Sequence, residues 1–225
     1  MPETQFKNVH EALFSFLIRM SELPYDYQNA ELTGKEIYTG IYRLSSNGVP
    51  AALMSFTAMS LFKTYVPESI STANTQWRIN EKLYDLLPSS SFVSVMYGIY
   101  DRQRREFKYS SGGHPGGFFI HKGEVQEIGT RGSLIGIFTG DHFSCEEASV
   151  TVQPSDSIIF ISDGILEAAV SSRCMFGKER IKHVISTNKE MLASELIEEI
   201  YREAQDFMDS APFKDDVTLL GIDFH

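Results

Sequence analysis

The spacing of apolar side chains divides the first third of the chain into helical and strand-like segments. Residues 6–22 are predicted to form an amphipathic helix that ends before Pro24, because apolar residues recur three and four positions apart at Phe6, Val9, Leu13, Phe16, Leu17 and Met20. Residues 35–44 alternate in the manner of a strand. Two helices are predicted next, over about 49–65 and 71–87, and the first has more apolar residues than one narrow stripe requires.

The middle of the chain is predicted to consist of strands and tight turns. Short strand-like runs cover 92–101, 107–111, 118–121, 125–128, 145–152 and 157–161. They form three successive pairs, and the two runs of each pair flank a polar turn of the kind found in hairpins. Helices are predicted again over about 178–186 and 193–209, and a strand over 217–224 closes the chain. This order indicates an α+β fold with a mostly antiparallel sheet.

Length and charge limit the function classes that remain. The 225 residues suit one domain, 24–225, preceded by the helical lead 1–23. The net charge of −10 argues against nucleic acid or an anionic membrane surface as the main partner. No apolar run approaches the roughly 18 residues that span a bilayer, and no signal peptide is recognised. Two distant cysteines, Cys145 and Cys174, indicate no disulfide framework, so a reducing cytoplasm is the expected setting.

Two carboxylate motifs beside apolar strands are candidate cation ligands. Asp163-Gly164 follows the run 157–161, and oxygen ligands with a glycine that permits close backbone approach suit Mg²⁺ or Mn²⁺. Asp215-Asp216 precedes the last strand, and a cation would relieve the repulsion between them. A helix-capping role for Asp163 and a solvated turn at Asp215 remain open alternatives.

Other motifs exclude several chemistries. There is no G-x-S-x-G elbow for acyl transfer, and neither G-x-x-x-x-G-K-[ST] nor G-x-G-x-x-G for nucleotide binding. His114, in the tight loop 112–117, is interpreted as a structural residue.

Several segments together resemble the SpoIIE/RsbU-like branch of the PPM family, the metal-dependent protein serine/threonine phosphatases. Residues 48–54 read G-V-P-A-A-L-M and resemble the helix opening of the family motif D-x-S-G-H-G-V-P-A-A-L-x-M. Residues 92–101 resemble F-x-T-x-x-Y-G-x-x-D, and 109–115 resemble Y-x-x-A-G-H-P. Residues 162–168 resemble T-D-G-V-x-E-A, 176–177 the F-G pair, and 215–220 the motif D-D-x-T-L-L. The resemblance covers roughly 24–225.

The resemblance implies a PPM-type α-β-β-α sandwich, with two mostly antiparallel sheets flanked by helices and a carboxylate-bound pair of Mn²⁺ or Mg²⁺ ions. In that family a metal-activated water attacks a phosphoserine or phosphothreonine, usually on a STAS-type antagonist of an anti-sigma factor, in a partner-switching pathway. In a two-metal mechanism, both ions bind oxygens of the phosphoryl group and hold it in position. The implied partner is therefore a phosphorylated regulatory protein, and the N-terminal helix and the helices within 49–87 are candidate surfaces for a homodimer.

The resemblance also implies a ligand set for the metal, position by position. Asp163, Gly164 and Asp215 match the later metal motifs, and Asp26 is the retained acid of an earlier G-D-Y-Y-D motif whose second Asp is replaced by Asn29. Because little chain precedes Asp26, the first sheet strand of the family is not expected here.

When the family motif D-x-S-G-H-G-V-P-A-A-L-x-M is aligned with this sequence, Arg43 occupies the position of its metal-bridging Asp. A permanent cation there removes ligand charge and repels the metals. Two hypotheses follow: a pseudophosphatase that binds a signalling partner, or an active Mn/Mg-dependent phosphatase with an altered site. No catalytic residue is singled out.

Overall fold

A computed structural model describes residues 3–8, 13–19, 36–44, 57–58, 60–65, 71–88, 91–171, 174–209, 211–215 and 217–225. Its strands are β1 Glu3–Asn8, β2 Leu13–Arg19, β3 Glu36–Leu44, β4 Val93–Asp101, β5 Glu106–Gly112, β6 Gly117–His121, β7 Glu124–Ile128, β8 Glu147–Thr151, β9 Ser157–Ile161, β10 Ala169–Ser171, β11 Cys174–Met175 and β12 Thr218–Asp223. Its helices are α1 Thr72–Leu86, α2 Asp163–Leu166, α3 Gly177–Thr187 and α4 Ala193–Phe207, with a 3₁₀ turn at Gly140–His142.

The strands form two five-stranded sheets and one small hairpin. The first sheet has the order β1-β12-β9-β6-β7, and every pair in it is antiparallel. The second sheet has the order β2-β3-β4-β5-β8, and its pairs β3–β4, β4–β5 and β5–β8 are antiparallel. Among the described strands, β10 and β11 pair with each other and with no other strand. The α+β class with mostly antiparallel sheets is therefore confirmed.

The chain divides into two compact units, each built around one of the large sheets. The first unit comprises residues 1–13, 115–128 and 152–225. Its core joins the first sheet to α3 and α4 through buried side chains such as Ile159, Leu219, Ile181, Leu196 and Ile200. The apolar positions of α4 recur with helical spacing, so this helix buries one face and leaves the other to solvent.

A buried carboxylate fixes the beginning of α4 on the first sheet. Asp223 of β12 accepts hydrogen bonds from the Ala193 N–H, at 3.0 Å to Oδ1, and from the Ser157 hydroxyl, at 2.6 Å. An acidic group at a helix N-terminus satisfies a free N–H group and complements the helix dipole. The carboxylate therefore joins α4, β9 and β12.

The second unit comprises residues 14–114 and 129–151. Its core joins β4 to α1 and to the helical residues 57–58 and 60–65, with Val95, Tyr97, Ile79, Leu83 and Phe62 all fully buried. The Arg78 guanidinium lies 4.3 Å from the centre of the Tyr65 ring, a cation–π contact between the two helical segments. The predicted helical pair is thus supported for these residues, whereas 49–56 and 59 lie outside the described part.

The N-terminal segment corrects the sequence interpretation. A helix was predicted over 6–22, but residues 3–8 and 13–19 are the strands β1 and β2. Strand β1 pairs along its length with β12, so a contact between opposite ends of the chain overrides the local apolar spacing. The expectation that no sheet strand precedes Asp26 is also wrong, because β1 and β2 both come before this residue. A homodimer through an N-terminal helix therefore loses its premise, while the domain division at residue 23 stays a prediction.

A second correction concerns the turn at residues 152–156. The strand-like runs on either side of this turn were expected to form a hairpin. Instead, β8 pairs with β5 in the second sheet, and β9 pairs with β6 and β12 in the first. Turn-forming residues mark a change of direction but do not state which strand the chain joins next.

Candidate active site

The adjoining ends of β9 and β12 form the best-defined part of the candidate site. These strands are antiparallel, with Ile161 opposite Leu219. Beyond that pair, the Ser162 N–H donates to the Thr218 carbonyl at 3.0 Å, and the Thr218 N–H donates to Ser162 Oγ at 2.8 Å. The end of β9 and the beginning of β12 are thus held together where the two candidate carboxylate motifs begin.

Asp163 follows this junction directly. It is half-buried and is the first residue of α2, whereas Ser162 occupies the N-cap position and makes no side-chain capping bond. Asp163 is therefore not the N-cap residue itself, and whether its carboxylate caps the helix or holds a cation stays open. Gly164 is buried in the first turn, and the Glu167 N–H donates to the Asp163 carbonyl at 2.8 Å.

Asp215 lies three residues before Thr218 and is also half-buried. The C-terminal end of β9 lies beside the N-terminal end of β12, because the two strands are antiparallel. Asp163, which follows β9, and Asp215, which precedes β12, therefore lie at the same end of the first sheet. This placement is compatible with a shared cation site, and the convergence of the two carboxylates on one ion stays a prediction. Asp216 lies outside the described residues, and the roles of Asp163, Gly164 and Asp215 as metal ligands stay predictions.

The remaining site residues lie in the N-terminal part of the chain. Asp26 and Asn29 fall outside the described residues. Arg43 is the penultimate residue of β3, and its Cα is opposite that of Ser94 in β4. The strand predicted over 35–44 is confirmed, so Arg43 lies near the strand end, just before the segment that resembles the G-V-P-A-A-L-M helix opening.

Thr218 is a functional candidate to which the sequence analysis gave no role, although it lies within the 215–220 motif. The residue is only 1% exposed, yet its hydroxyl has no hydrogen-bond partner among the residues that the structure describes. Its neighbours Val217 and Leu219 belong to the core with α3 and α4. Successive strand residues point to opposite faces, so the Thr218 side chain leaves β12 on the face away from these helices. The polar residue between two apolar core residues was the available signal.

The donor chemistry at this strand end suits a hard divalent cation. Asp163 and Asp215 supply carboxylate oxygens, which Mg²⁺ and Mn²⁺ prefer. The buried Thr218 hydroxyl, unsatisfied within the described residues, lies at the same strand end. No group of three His, Cys, Asp or Glu side chains is assembled for a metal within the described ranges. The described residues therefore fit one side of a cation site.

The corner 110–114 has a structural role. Ser111 Oγ accepts from the His114 N–H at 3.0 Å and donates to the His114 carbonyl at 2.6 Å. Gly113 has a φ of 72°, in the left-handed region that favours glycine. Burial lowers the pKa of His114 to about 3, so the imidazole is neutral near pH 7 and a poor proton acceptor.

A buried polar row on α1 supports this corner and was also missed. Thr72, Gln76 and Asn80 recur every four residues and are fully buried. Gln76 Nε2 donates to the Ser110 carbonyl at 2.9 Å and to Ser110 Oγ at 2.7 Å. In contrast, the large apolar residue Trp77 of the same helix is 46% exposed.

Comparison with known proteins finds a matching family and several related proteins. The sequence profile of the family described as stage II sporulation protein E (SpoIIE) matches residues 45–225. The phosphoserine phosphatase RsbU of Bacillus subtilis is 24% identical over 204 residues, which are 87% of this chain and 58% of that protein. The chain thus spans little more than half the length of this curated relative.

Two solved structures share the fold. One is the PP2C phosphatase domain of SpoIIE from Bacillus subtilis, solved with a fragment of its regulatory domain. The match has a TM-score of 0.77 at 16% identity and covers 100% of this chain and 63% of the SpoIIE chain. RsbX in complex with magnesium has a TM-score of 0.65 at 14% identity, covering 100% and 96%. The PP2C-type fold expected from the sequence is confirmed.

Within the described residues, no helix is long and apolar enough to cross a membrane.

Proposed function

Because the chain belongs to the SpoIIE family of PPM-type phosphatases, we propose that it is a regulator that recognises a phosphorylated protein partner and hydrolyses the phosphate poorly or not at all. The observation that carries this proposal is Arg43, which stands where the family motif has its metal-bridging Asp and which lies at the end of β3. The proposed protein therefore keeps the fold of the family and the binding of a partner but loses most of the phosphate hydrolysis.

The electrostatic reason for impaired hydrolysis is the charge at position 43. A bridging carboxylate neutralises two divalent ions that lie about 3.5–4 Å apart. A guanidinium stays charged at any physiological pH, so it removes one negative charge and adds a positive one. We infer that a second ion cannot be held well, and that Arg43 pairs with acids that the family uses for metal.

The retained carboxylates support a residual cation site. Asp163 and Asp215 remain at the adjoining strand ends, and RsbX, which shares the fold, was solved with magnesium. We infer that these two residues hold one Mn²⁺ or Mg²⁺ weakly, with Gly164 and Asp26 as further ligands. A bound cation would neutralise phosphoryl oxygens and so help to orient a phosphorylated partner.

The partner that we infer is a phosphorylated STAS-type protein, or a similar regulatory protein, of a cytoplasmic partner-switching pathway. Its support is the family itself and the 24% identity to RsbU, which is named as a phosphoserine phosphatase. The net charge of −10 makes nucleic acid a poor alternative.

An active Mn/Mg-dependent phosphoserine/phosphothreonine phosphatase is the second candidate. The observation in its favour is that Asp163 and Asp215 lie at the same end of the sheet. In that case another carboxylate would have to take the bridging place.

Hydrolysis of p-nitrophenyl phosphate, with and without Mn²⁺, separates the two candidates. The impaired regulator is expected to show turnover near the buffer background at every Mn²⁺ concentration, because it lacks the bridging charge. Asp163→Asn provides the matched control, since any rate that survives this change does not come from the site. Robust Mn²⁺-dependent turnover that Asp163→Asn abolishes would establish the active phosphatase instead.

A further inference from the structure

The Thr218 hydroxyl is a buried polar group that the described fold leaves unsatisfied. The residue is 1% exposed, and its Oγ1 atom has no hydrogen-bond partner within the residues that the structure describes. Its backbone N–H, in contrast, donates to Ser162 Oγ at 2.8 Å. Burying a hydroxyl without a partner costs stability, and valine would fill nearly the same volume without that cost. Threonine at this position therefore requires an explanation other than packing.

The position of Thr218 relates the hydroxyl to the two retained carboxylates. Thr218 is hydrogen-bonded to Ser162 on both its N–H and its carbonyl, and Asp163 is the residue that follows Ser162. Asp215 precedes Thr218 by three residues on the same segment. The side chain leaves β12 on the face opposite α3 and α4, because Val217 and Leu219 face the core with these helices. The hydroxyl is thus placed beside the strand end that carries both acids.

We propose that Thr218 is a positioning residue, whose hydroxyl donates a hydrogen bond to Asp163 or Asp215 when these carboxylates hold a divalent cation. This inference rests on the residual cation site of the proposed function. Carboxylates that ligate metals are generally oriented by hydrogen bonds from a surrounding shell of residues. Because Thr218 Oγ1 has no hydrogen-bond partner among the described residues, its hydroxyl is available to make this bond.

Thr218→Val tests this role in the intact chain, with two measurements that do not depend on turnover. The first is the melting temperature without metal, and the second is Mn²⁺ binding, followed by the loss of the free Mn²⁺ signal in electron paramagnetic resonance. Thr218→Ser retains the hydroxyl. Thr75→Val is the matched control, because Thr75 is equally buried but its hydroxyl donates to the Ser71 carbonyl at 2.9 Å.

The positioning role predicts opposite effects of Thr218→Val on the two measurements. Without metal, the melting temperature should stay unchanged or rise by about 2–4 °C, because an unsatisfied hydroxyl is removed. Mn²⁺ affinity should fall about tenfold, and Thr218→Ser should restore most of it. Thr75→Val should lower the melting temperature and leave Mn²⁺ binding unchanged.

Three results would overturn the inference. A metal-free melting temperature several degrees lower in Thr218→Val would mean that the hydroxyl is already bonded in the fold. Unchanged Mn²⁺ affinity in Thr218→Val would remove the positioning role and leave the proposed function intact. A complete absence of Mn²⁺ binding by the unmutated chain would count against both this role and the residual cation site.

Discussion

At the scale of single residues, burial decides what the polar side chains of this chain can do. His114 lies in a motif that invites a catalytic interpretation, yet burial lowers its pKa to about 3 and its backbone is held by Ser111. Thr218 draws attention for the opposite reason, since its hydroxyl is buried without a partner in the described part of the fold. Residue type and motif suggest chemistry, but surroundings determine whether a group is available for it.

The buried neutral His114 predicts a pH dependence of stability. The pKa of His114 is lowered from 6.5 to about 3, so the unfolded chain binds a proton that the folded chain does not. Stability is therefore fully present above pH 6.5 and is lost as the pH falls from 6.5 towards 3. The residue should contribute about 2 kcal/mol of lost unfolding free energy between pH 7 and pH 5.

Urea unfolding at several pH values measures this contribution. A His114→Asn variant should be less stable at pH 7 but should lose less stability on acidification than the unmutated chain. His142→Asn is the control, because His142 is exposed and should leave the pH profile unchanged. Parallel profiles for the unmutated chain and His114→Asn would show that His114 is not held neutral.

At the scale of elements, α1 is attached to its sheet by polar as well as apolar contacts. Thr72 donates through its hydroxyl to Glu147 of β8, Gln76 donates to Ser110 of β5, and Asn80 Nδ2 donates to the Phe138 carbonyl. These bonds are directional, so they set the position of the helix along the sheet more strictly than apolar contacts would. The helix therefore links the corner at 110–114 to the segment around Phe138.

Gln76→Ala should be strongly destabilising for its size. It removes both hydrogen bonds to Ser110 and leaves the buried Ser110 carbonyl and hydroxyl without that donor. The expected loss is about 2–4 kcal/mol of unfolding free energy, measured by urea denaturation. Trp77→Ala, on the exposed face of the same helix, should cost less than about 1 kcal/mol. Equal losses in the two variants would contradict the anchoring role of Gln76.

The elements that the sequence predicted correctly are those whose pattern is local. The strand Glu36–Leu44, the helix Thr72–Leu86 and the strand Ser157–Ile161 follow from alternation, helical spacing and flanking turn residues. The helix predicted at the N-terminus was wrong because β1 pairs with β12, more than 200 positions away, and local spacing contains no trace of that partner. The short hairpin β10–β11 was not predicted either, because two and three residues carry no periodicity.

The candidate site shows the same division. Asp163 and Asp215 could be selected from the sequence because each adjoins an apolar strand within a family-like motif. Their placement at one end of a sheet required the β9–β12 register, and Thr218 and Gln76 required burial and hydrogen bonding. Partners that come from distant strands cannot be identified from spacing alone.

At the scale of the whole molecule, the family indicates a phosphatase, whereas the proposed charge change at the metal site indicates impaired hydrolysis. The chain shares a phosphatase fold with SpoIIE and belongs to its family. The position of Arg43 at the place of the bridging Asp is our proposed alignment of the sequence with the family motif. A fold can persist through its core, here the two clusters around the β9–β12 and β4–α1 contacts, while a charge change alters the chemistry. A homodimer through the helices of 49–87 stays a prediction.

Anomalous scattering from crystals of the unmutated chain soaked in Mn²⁺ counts the bound ions, and so tests whether Arg43 prevents the binding of two metals. Arg43→Asp crystals serve as the comparison, because that change restores the missing ligand charge. We expect at most one weakly occupied ion in the unmutated chain, beside Asp163 and Asp215, and higher occupancy in Arg43→Asp. Two well-occupied ions about 3.5–4 Å apart in the unmutated chain would contradict it.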